Sequence, residues 1–476
     1  MTIFSSQLRK CLGALAAAGL LGLCSCATTD SAGIATGTVP TPARWQQDSA
    51  AQGGLDSTAL ARWWERFNDP VLTELVNGAL KTSPTVRTAL AKIESARAAH
   101  RVQRANLLPS LDASASAKSS SSTDRSTDVT TTSRSASAGL DASWEIDLFG
   151  TQRKALDATA ADLAEAEENL RDAQVSLAAE VASTYVTLRS AEAKLASVRQ
   201  TLVTREQTLQ LIQWQEQAGT GSALETQEAV STVESVRASI PTLEQTVLET
   251  RNQLAVLCGQ TPGALDAQLG SDAGHVPAAP AAIAVGIPAE TLRQRPDVRS
   301  AGRAVEAAAA RTESARRDRF PTLSLSGSLG VEALSAGKLF SPESSVASAL
   351  GSLSAPIFAG GKIQQTIAVK AAAEKQALIT YESTVLSALA DVENALSSIK
   401  RNSKRLAALD KAAAAAREAA TLAHQKYEAG QANFLTVLDA DRSQLSLEQD
   451  QIAATADLST SHVQLYKALG GGWSNL

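Results

Sequence analysis

The sequence predicts a mainly α-helical protein that is an internal duplicate and carries four short β-strands suited to a membrane β-barrel. Three observations lead to this fold class. One segment recurs at a fixed spacing, apolar residues follow a heptad over very long stretches, and apolar and polar residues alternate in short segments. The chain has 476 residues and a net charge of −5, so nucleic acid is not an expected partner.

The duplication is visible without gaps. Residues 84–117 and 296–329 match at an offset of 212, with 12 of 34 positions identical, including Pro84 with Pro296 and Pro109 with Pro321. Further along the offset is about 209–211, as between Phe149 and Phe358. We therefore predict a first repeat over 56–260 and a second over 288–476, joined by a Pro-, Ala- and Gly-rich linker at 261–287.

Each repeat contains a pair of long helices. No Gly or Pro occurs between residues 153 and 216, and leucines recur every seven residues from Leu156 to Leu177. At 1.5 Å per residue such a helix is on the order of 100 Å long, and the heptad indicates coiled-coil packing. The predicted long helices are 153–217 and 222–258, then 361–428 and 432–469, and a shorter helix at 296–319 opens the second repeat.

The strand segments lie between these helices. In LDASWEIDLFG (140–150) the apolar residues occupy one face, and Asp141, Glu145 and Asp147 occupy the other. A soluble sheet and a transmembrane barrel both fit this pattern. We predict strands at about 110–118, 138–148, 322–331 and 347–358. Four strands cannot close a barrel, so in a membrane several chains have to share one.

The N-terminus resembles a bacterial lipoprotein signal. Arg9 and Lys10 precede a short apolar core that ends in LCSC, and Cys26 follows a small residue as in a lipobox. We predict a signal peptide at 1–25, lipidation of Cys26 and an extended tether at 26–55; an ordinary signal peptide is the alternative. Removing 1–25 takes away two positive charges and no acid, so the net charge changes from −5 to −7.

No motif for catalysis or metal binding is found. The four histidines are not spaced with cysteines or acids as metal ligands are, and there is no phosphate loop or nucleophile elbow. We therefore expect no enzyme activity, no metal and no cofactor apart from the acyl and diacylglycerol lipid on Cys26.

Several motifs together resemble the TolC-like outer membrane efflux factors, in the NodT lipoprotein branch. They include WWERFNDPVLTELV (63–76), WEIDLFG (144–150), LRQRPDVRSA (292–301), RFPTLSLSGSLG (319–330), KYEAGQANFLTVLDADR (426–442) and YKALGGGW (466–473). The resemblance covers about residues 55–473. It implies a homotrimer in the outer membrane, with a twelve-stranded barrel continued by a helical tunnel into the periplasm.

The resemblance also implies a function and partners. The protein is expected to be the passive exit duct of a tripartite efflux pump for small molecules, working with a periplasmic adaptor and an inner membrane pump of the RND type. Exit from a type I secretion system is one alternative. A non-conducting coiled-coil lipoprotein that acts as a spacer is another, although a spacer has no use for four strands at matching points of a repeat.

The site residues follow from the same resemblance. The turns with Gly219, Gly221 and Gly430 are expected at the periplasmic tip, where the adaptor binds. The matching gate positions are Leu435, Asp439 and Arg442, which are spaced four and three apart and share one helix face. A solvated Asp–Arg pair is the alternative for the last two. In the barrel, Asp141, Glu145 and Asp147 are expected to face the lumen, and Trp144 the lipid.

Overall fold

The computed structural model describes residues 42, 44–46, 60–126, 128–270, 274–280, 292–334, 339 and 341–473. They belong to one compact unit, Thr41–Leu476. The predicted signal peptide, Cys26 and most of the tether lie outside the described residues, as do residues 271–273 and 281–287 of the predicted linker. The predictions for those segments stay predictions.

The helices repeat with nearly constant spacing. The first repeat contains α1 (Pro70–Thr82), α2 (Pro84–Ala105), α3 (Thr151–Gln217) and α4 (Ala223–Leu257). The second contains α5 (Pro296–Arg317), α6 (Lys362–Glu428) and α7 (Phe434–Ala468). Helices α2 and α5 have 22 residues each at an offset of 212, whereas α3 and α6 have 67 each and α4 and α7 have 35 each, both at 211. The equal helix lengths and the nearly constant offset show that the duplication includes the long helices.

Helix starts are set by local capping. Asp69 accepts a hydrogen bond from the backbone N–H of Leu72, and Pro70 occupies the first turn of α1, where its missing N–H costs nothing. Ser83 and Pro84 begin α2 in the same way. The 67 residues of α3 correspond to roughly 100 Å of helix.

The four strands form one antiparallel sheet in the order β1-β2-β3-β4. They are β1 (Ser110–Asp124), β2 (Val129–Ile146), β3 (Thr322–Ala333) and β4 (Ser345–Ser354). The hairpin of β1 and β2 is longer than predicted, because hydroxyl pairs such as Ser120 with Ser133 (2.7 Å) and Thr123 with Thr130 (2.9 Å) join its strands beyond the apolar segment. Strand β4 ends before the predicted 358, since Pro356 follows it and has no N–H for a ladder.

The register places most of the apolar residues of the four strands on one face. Leu140 pairs with Ala113 and Leu329, and Leu329 pairs in turn with Ala347. The opposite face is mainly Ser, with Asp112 paired directly to Asp141. Val346 and Leu350 of β4 are exceptions on this polar face. The sheet therefore has one side suited to lipid and one suited to water.

A buried core joins the segments around Trp63 and Tyr466 to α3. The rings of Trp63 and Tyr466 stack at 5.2 Å, and neither side chain is exposed. The fully buried Arg189 of α3 donates from Nε to the hydroxyl of Tyr185 (3.0 Å) and from Nη1 to Glu192 (2.8 Å). The Tyr185 hydroxyl donates to Asp69 at 2.8 Å. This network ties α1 to the middle of α3.

The long helices pack side by side. Helix α3 contacts α2, α4, α5 and α7, and α6 contacts α5 and α7. Among the helices that the structure describes, none is long and apolar enough to cross a membrane.

Candidate functional site

The two glycine turns close the long helix pairs. Gly219 follows α3 with a φ of +74°, and Gly430 follows α6 with a φ of +70°. The N–H of Gly221 returns to the carbonyl of Gln215, and a Cβ at Gly221 would approach the backbone of Glu216 to 3.0 Å. Glycine is favoured at these positions by backbone conformation and by space. Their contact with an adaptor stays a prediction.

Capping residues then fix the returning helices. Ser222 and Glu225 form a reciprocal capping box at the start of α4. Asn433 caps α7 by accepting from the N–H of Thr436 at 3.0 Å. The capping contacts therefore fix the first turns of α4 and α7, and with them the direction in which the first side chains of α7 point.

A small apolar cluster joins the two helix pairs near these turns. It consists of Ile212, Ala229, Ala423, Phe434 and Val437, and we call it the tip cluster. Beside it the Tyr427 hydroxyl donates to Oε1 of Gln215 at 2.9 Å, linking the end of α6 to the end of α3. The tyrosine ring also lies 6.0 Å from that of Phe434. These contacts hold the two tips of one chain together.

The predicted gate residues lie on the other side of α7. Leu435 is 50% exposed, and Asp439 and Arg442 are also exposed, while Phe434 and Val437 anchor the helix through the tip cluster. Within the described part of the chain no salt bridge joins Asp439 to Arg442. The three residues share an exposed face of α7, but Asp439 and Arg442 do not pair within one chain. The gate stays a prediction about the assembled protein.

A hydrogen-bonded pair of a histidine and an aspartate connects α6 with α7 near the predicted gate. His424 and Asp441 approach to 2.9 Å between Nε2 and Oδ1. The hydrogen bond to Asp441 raises the pKa of His424 above its ordinary value of 6.5. The pair thus adds a pH-sensitive contact close to the predicted gate.

Two of the three predicted lumen acids lie on the polar face of β2, and the third lies after the end of the strand. Asp141 is exposed and accepts a hydrogen bond from Ser114 at 2.8 Å, and Glu145 is exposed as well. Asp147 lies after the end of β2, and its side chain is only 8% exposed. It accepts from the backbone N–H groups of Gln152 and Arg153 at 3.2 and 2.9 Å, so it caps α3 and is not part of the strand. Its position relative to the lumen stays a prediction.

The residue that joins Asp141 on this face is Asp112, its direct cross-strand partner. The alternation around Leu111 and Ala113 already placed Asp112 on the polar face, but only the register shows that the two carboxylates are neighbours. Two like charges opposite one another are unfavourable unless water or a counter-ion screens them. This face therefore requires a hydrated surrounding.

The chain matches known proteins over most of its length. A family profile described as "Outer membrane efflux protein" matches residues 75–260 and 287–471. The chain belongs to the outer membrane efflux protein family. The two matched ranges correspond to the two repeats, as the helix offsets require.

Individual relatives of the family agree in length and fold. Outer membrane protein OprJ of Pseudomonas aeruginosa is 34% identical over 97% of this chain and 96% of its own length. The toluene efflux pump outer membrane protein TtgI of Pseudomonas putida is 32% identical, with 91% and 93% covered. The solved structure of the outer-membrane channel OprN superposes with a TM-score of 0.80 at 33% identity, covering 91% of this chain and 99% of that one. The chain is thus an efflux channel of the outer membrane.

Proposed function

We propose that three copies of this chain form the exit duct of a tripartite efflux pump, which passively conducts small molecules across the outer membrane. The observation that carries the proposal is the sheet: one face is apolar, one face is polar, and β1 and β4 are edge strands. An open edge is not stable in lipid. Three chains with four strands each give twelve strands, and pairing β4 with β1 of the next copy closes the barrel.

The duplication identifies the surface on which a second copy packs. Helix α5 packs on α3, where Ala158 and Glu168 are 2% and 3% exposed, and Glu168 pairs with Arg299 of α5. Adding the offset of 211 gives Val369 and Ile379 of α6, which are 65% and 54% exposed. The counterpart of α5 in the first repeat is α2. We infer that α2 of a neighbouring copy covers this exposed face of α6.

The partners and the anchor are proposed on the same basis. The name of TtgI describes it as the outer membrane protein of a toluene efflux pump, which supports a pump partner for this chain. We propose that this partner is an inner membrane pump of the RND type, as the resemblance of the sequence implies. A periplasmic adaptor is proposed at the turns of Gly219, Gly221 and Gly430. Lipidation at Cys26 would place the chain in the NodT branch, and we propose that the protein has no enzyme activity.

Cross-linking tests the assembly. Within the chain, the Ser314 hydroxyl donates to the carbonyl of Thr151 at 3.1 Å. The equivalent pair by offset is Val102 (314 − 212) and Lys362 (151 + 211) of two different copies. Val102→Cys with Lys362→Cys is expected to give disulfide-linked trimers on a non-reducing gel, because a side chain that reaches the backbone of its partner residue indicates that the two backbones are close enough to be bridged.

A control pair and a flux assay complete the test. Val102→Cys with Val203→Cys, which replaces Lys362 by an exposed residue of α3 as the second site, is expected to give no trimers. Liposome swelling with a small neutral sugar is expected to be faster for Asp439→Ala than for the wild type, since the predicted gate then loses its ring of carboxylates. A monomer that forms no cross-links and no pore would overturn the proposal.

A further inference from the structure

One buried arginine in α3 has no partner. Arg205 is only 7% exposed, and its Nε is inaccessible to solvent and lacks a hydrogen-bond acceptor. In the described part of the chain no hydrogen bond or salt bridge reaches its guanidinium. Burial lowers the pKa of Arg205, an effect that Asp441 opposes and Arg442 reinforces. Moving part of a charged group out of water without pairing it is costly, so a ligand that pairs with the guanidinium would stabilise this position.

The guanidinium lines a cavity of about 390 Å³ between α3, α6 and α7, which we call the Arg205 cavity. Its walls are mixed, with the polar Gln200 and Thr201 on α3 and Gln444 on α7, and the apolar Leu445 and Ile452 on α7. The space is large enough for several water molecules or for one small organic or inorganic ion. It lies on a different face of α7 from Leu435 and Asp439, which do not line it.

The carboxylates of the cavity wall are already engaged. Asp441 is bound by His424 at 2.9 Å. Glu448 accepts from Arg417 and from Gln444, both at 3.1 Å. Among the described residues that line the cavity, the charged group without a hydrogen-bonded or ion-paired partner is therefore the positive one of Arg205. A cation would meet this charge and would have to displace an existing partner from each acid.

We propose that the Arg205 cavity binds a small oxyanion, of the carboxylate or phosphate class. A guanidinium presents parallel N–H donors whose spacing matches two oxygens of such an anion. The amide of Gln200 and the remaining N–H groups of Arg417 line the same space and can complete the site. The bound anion would connect α3 with α6 and α7, about four turns before the turn at Gly219.

Binding is tested on the full-length protein in detergent at pH 7.5. Inorganic phosphate is titrated by calorimetry, and thermal unfolding is followed with phosphate replacing sodium chloride at constant ionic strength. We expect saturable heat and a rise in the melting temperature for the wild type. Acetate in a parallel titration distinguishes a carboxylate ligand from a phosphate ligand.

Two substitutions at the site and one control give the discriminating result. Arg205→Met keeps the length of the side chain without its charge, and we expect phosphate affinity to fall at least tenfold while the protein folds. Arg205→Lys keeps the charge without the parallel N–H donors of the guanidinium and is expected to bind phosphate more weakly than the wild type. Arg199→Met removes an exposed arginine of the same helix, paired with Glu244 at 2.6 Å, and should leave affinity unchanged.

The proposal is overturned if the wild type gives no phosphate- or acetate-dependent heat beyond the chloride reference. It is equally overturned if Arg205→Met binds as the wild type does, because the cavity would then hold only water. None of these measurements depends on conduction, so the site can fail while the efflux channel stands.

Discussion

Replacing Tyr427 by Phe tests whether contact between the two tips of one chain keeps the channel closed. The substitution removes the hydroxyl that donates to Gln215 at 2.9 Å and leaves the ring beside Phe434 in place. One such hydrogen bond contributes about 1 kcal/mol, which corresponds to a roughly fivefold change in the ratio of closed to open tips. If three copies open together, the effect is about 3 kcal/mol, or on the order of 150-fold.

The assay is single-channel recording of the purified protein in planar bilayers. We expect Tyr427→Phe to raise the open probability without changing the size of the fully open conductance, since the barrel is untouched. Tyr381→Phe is the matched control, because Tyr381 lies on the same helix and has no hydrogen bond in the described structure. If Tyr427→Phe opens no more often than this control, the tip contact does not hold the channel closed.

Three further predictions follow from the polar face, the tip and the turns. The double substitution Asp112→Asn and Asp141→Asn should lower the preference of the channel for cations over anions. This effect is measured as a smaller reversal potential in a salt gradient, and an unchanged potential would mean that this face does not line the pore. The pKa of His424 is raised in the folded protein, so protonated His424 stabilises the fold fully below about pH 6.5, and this stabilisation is lost as the pH rises through the folded-state pKa. The melting temperature should therefore fall between pH 5.5 and 8.5, and His424→Gln should remove this part of its pH dependence. Gly430→Ala should destabilise the turn by about 1–2 kcal/mol because φ is +70°, whereas Gly78→Ala inside α1 should be neutral or stabilising in the same thermal assay.

Much of the fold could be predicted because its signals are local and repeated. The offset of 212 between Pro84 and Pro296 predicted two equivalent units, and the absence of Gly and Pro before Gln217 predicted the long helix. The alternation around Trp144 predicted which residues share a face of the sheet. Each of these depends on residues close in sequence or on a simple comparison of the chain with itself.

The rest depends on contacts between distant segments. Asp147 continues the alternation of β2 in sequence, but the start of α3 supplies two backbone N–H groups that bind its carboxylate. The hairpin of β1 and β2 extends into a segment without apolar residues, because hydroxyl groups pair across the strands. A single sequence does not show such pairings before the register is known.

The contacts of the predicted gate residues could not be predicted from the sequence either. Leu435, Asp439 and Arg442 share a face as their spacing predicted, yet what they contact depends on neighbouring copies. The link between Tyr427 and Gln215 was not predicted either, since the two residues are 212 positions apart. The position of Tyr427 just before the second turn was the available signal.

The most direct test of the account is the single-channel conductance of the purified wild-type protein beside that of Asp439→Ala. The account predicts a trimer whose wild type is nearly closed, and a variant that conducts more, with a preference for cations in both. Equal conductance would place the gate elsewhere and leave the channel intact. A protein that is monomeric and does not conduct would contradict the shared barrel itself.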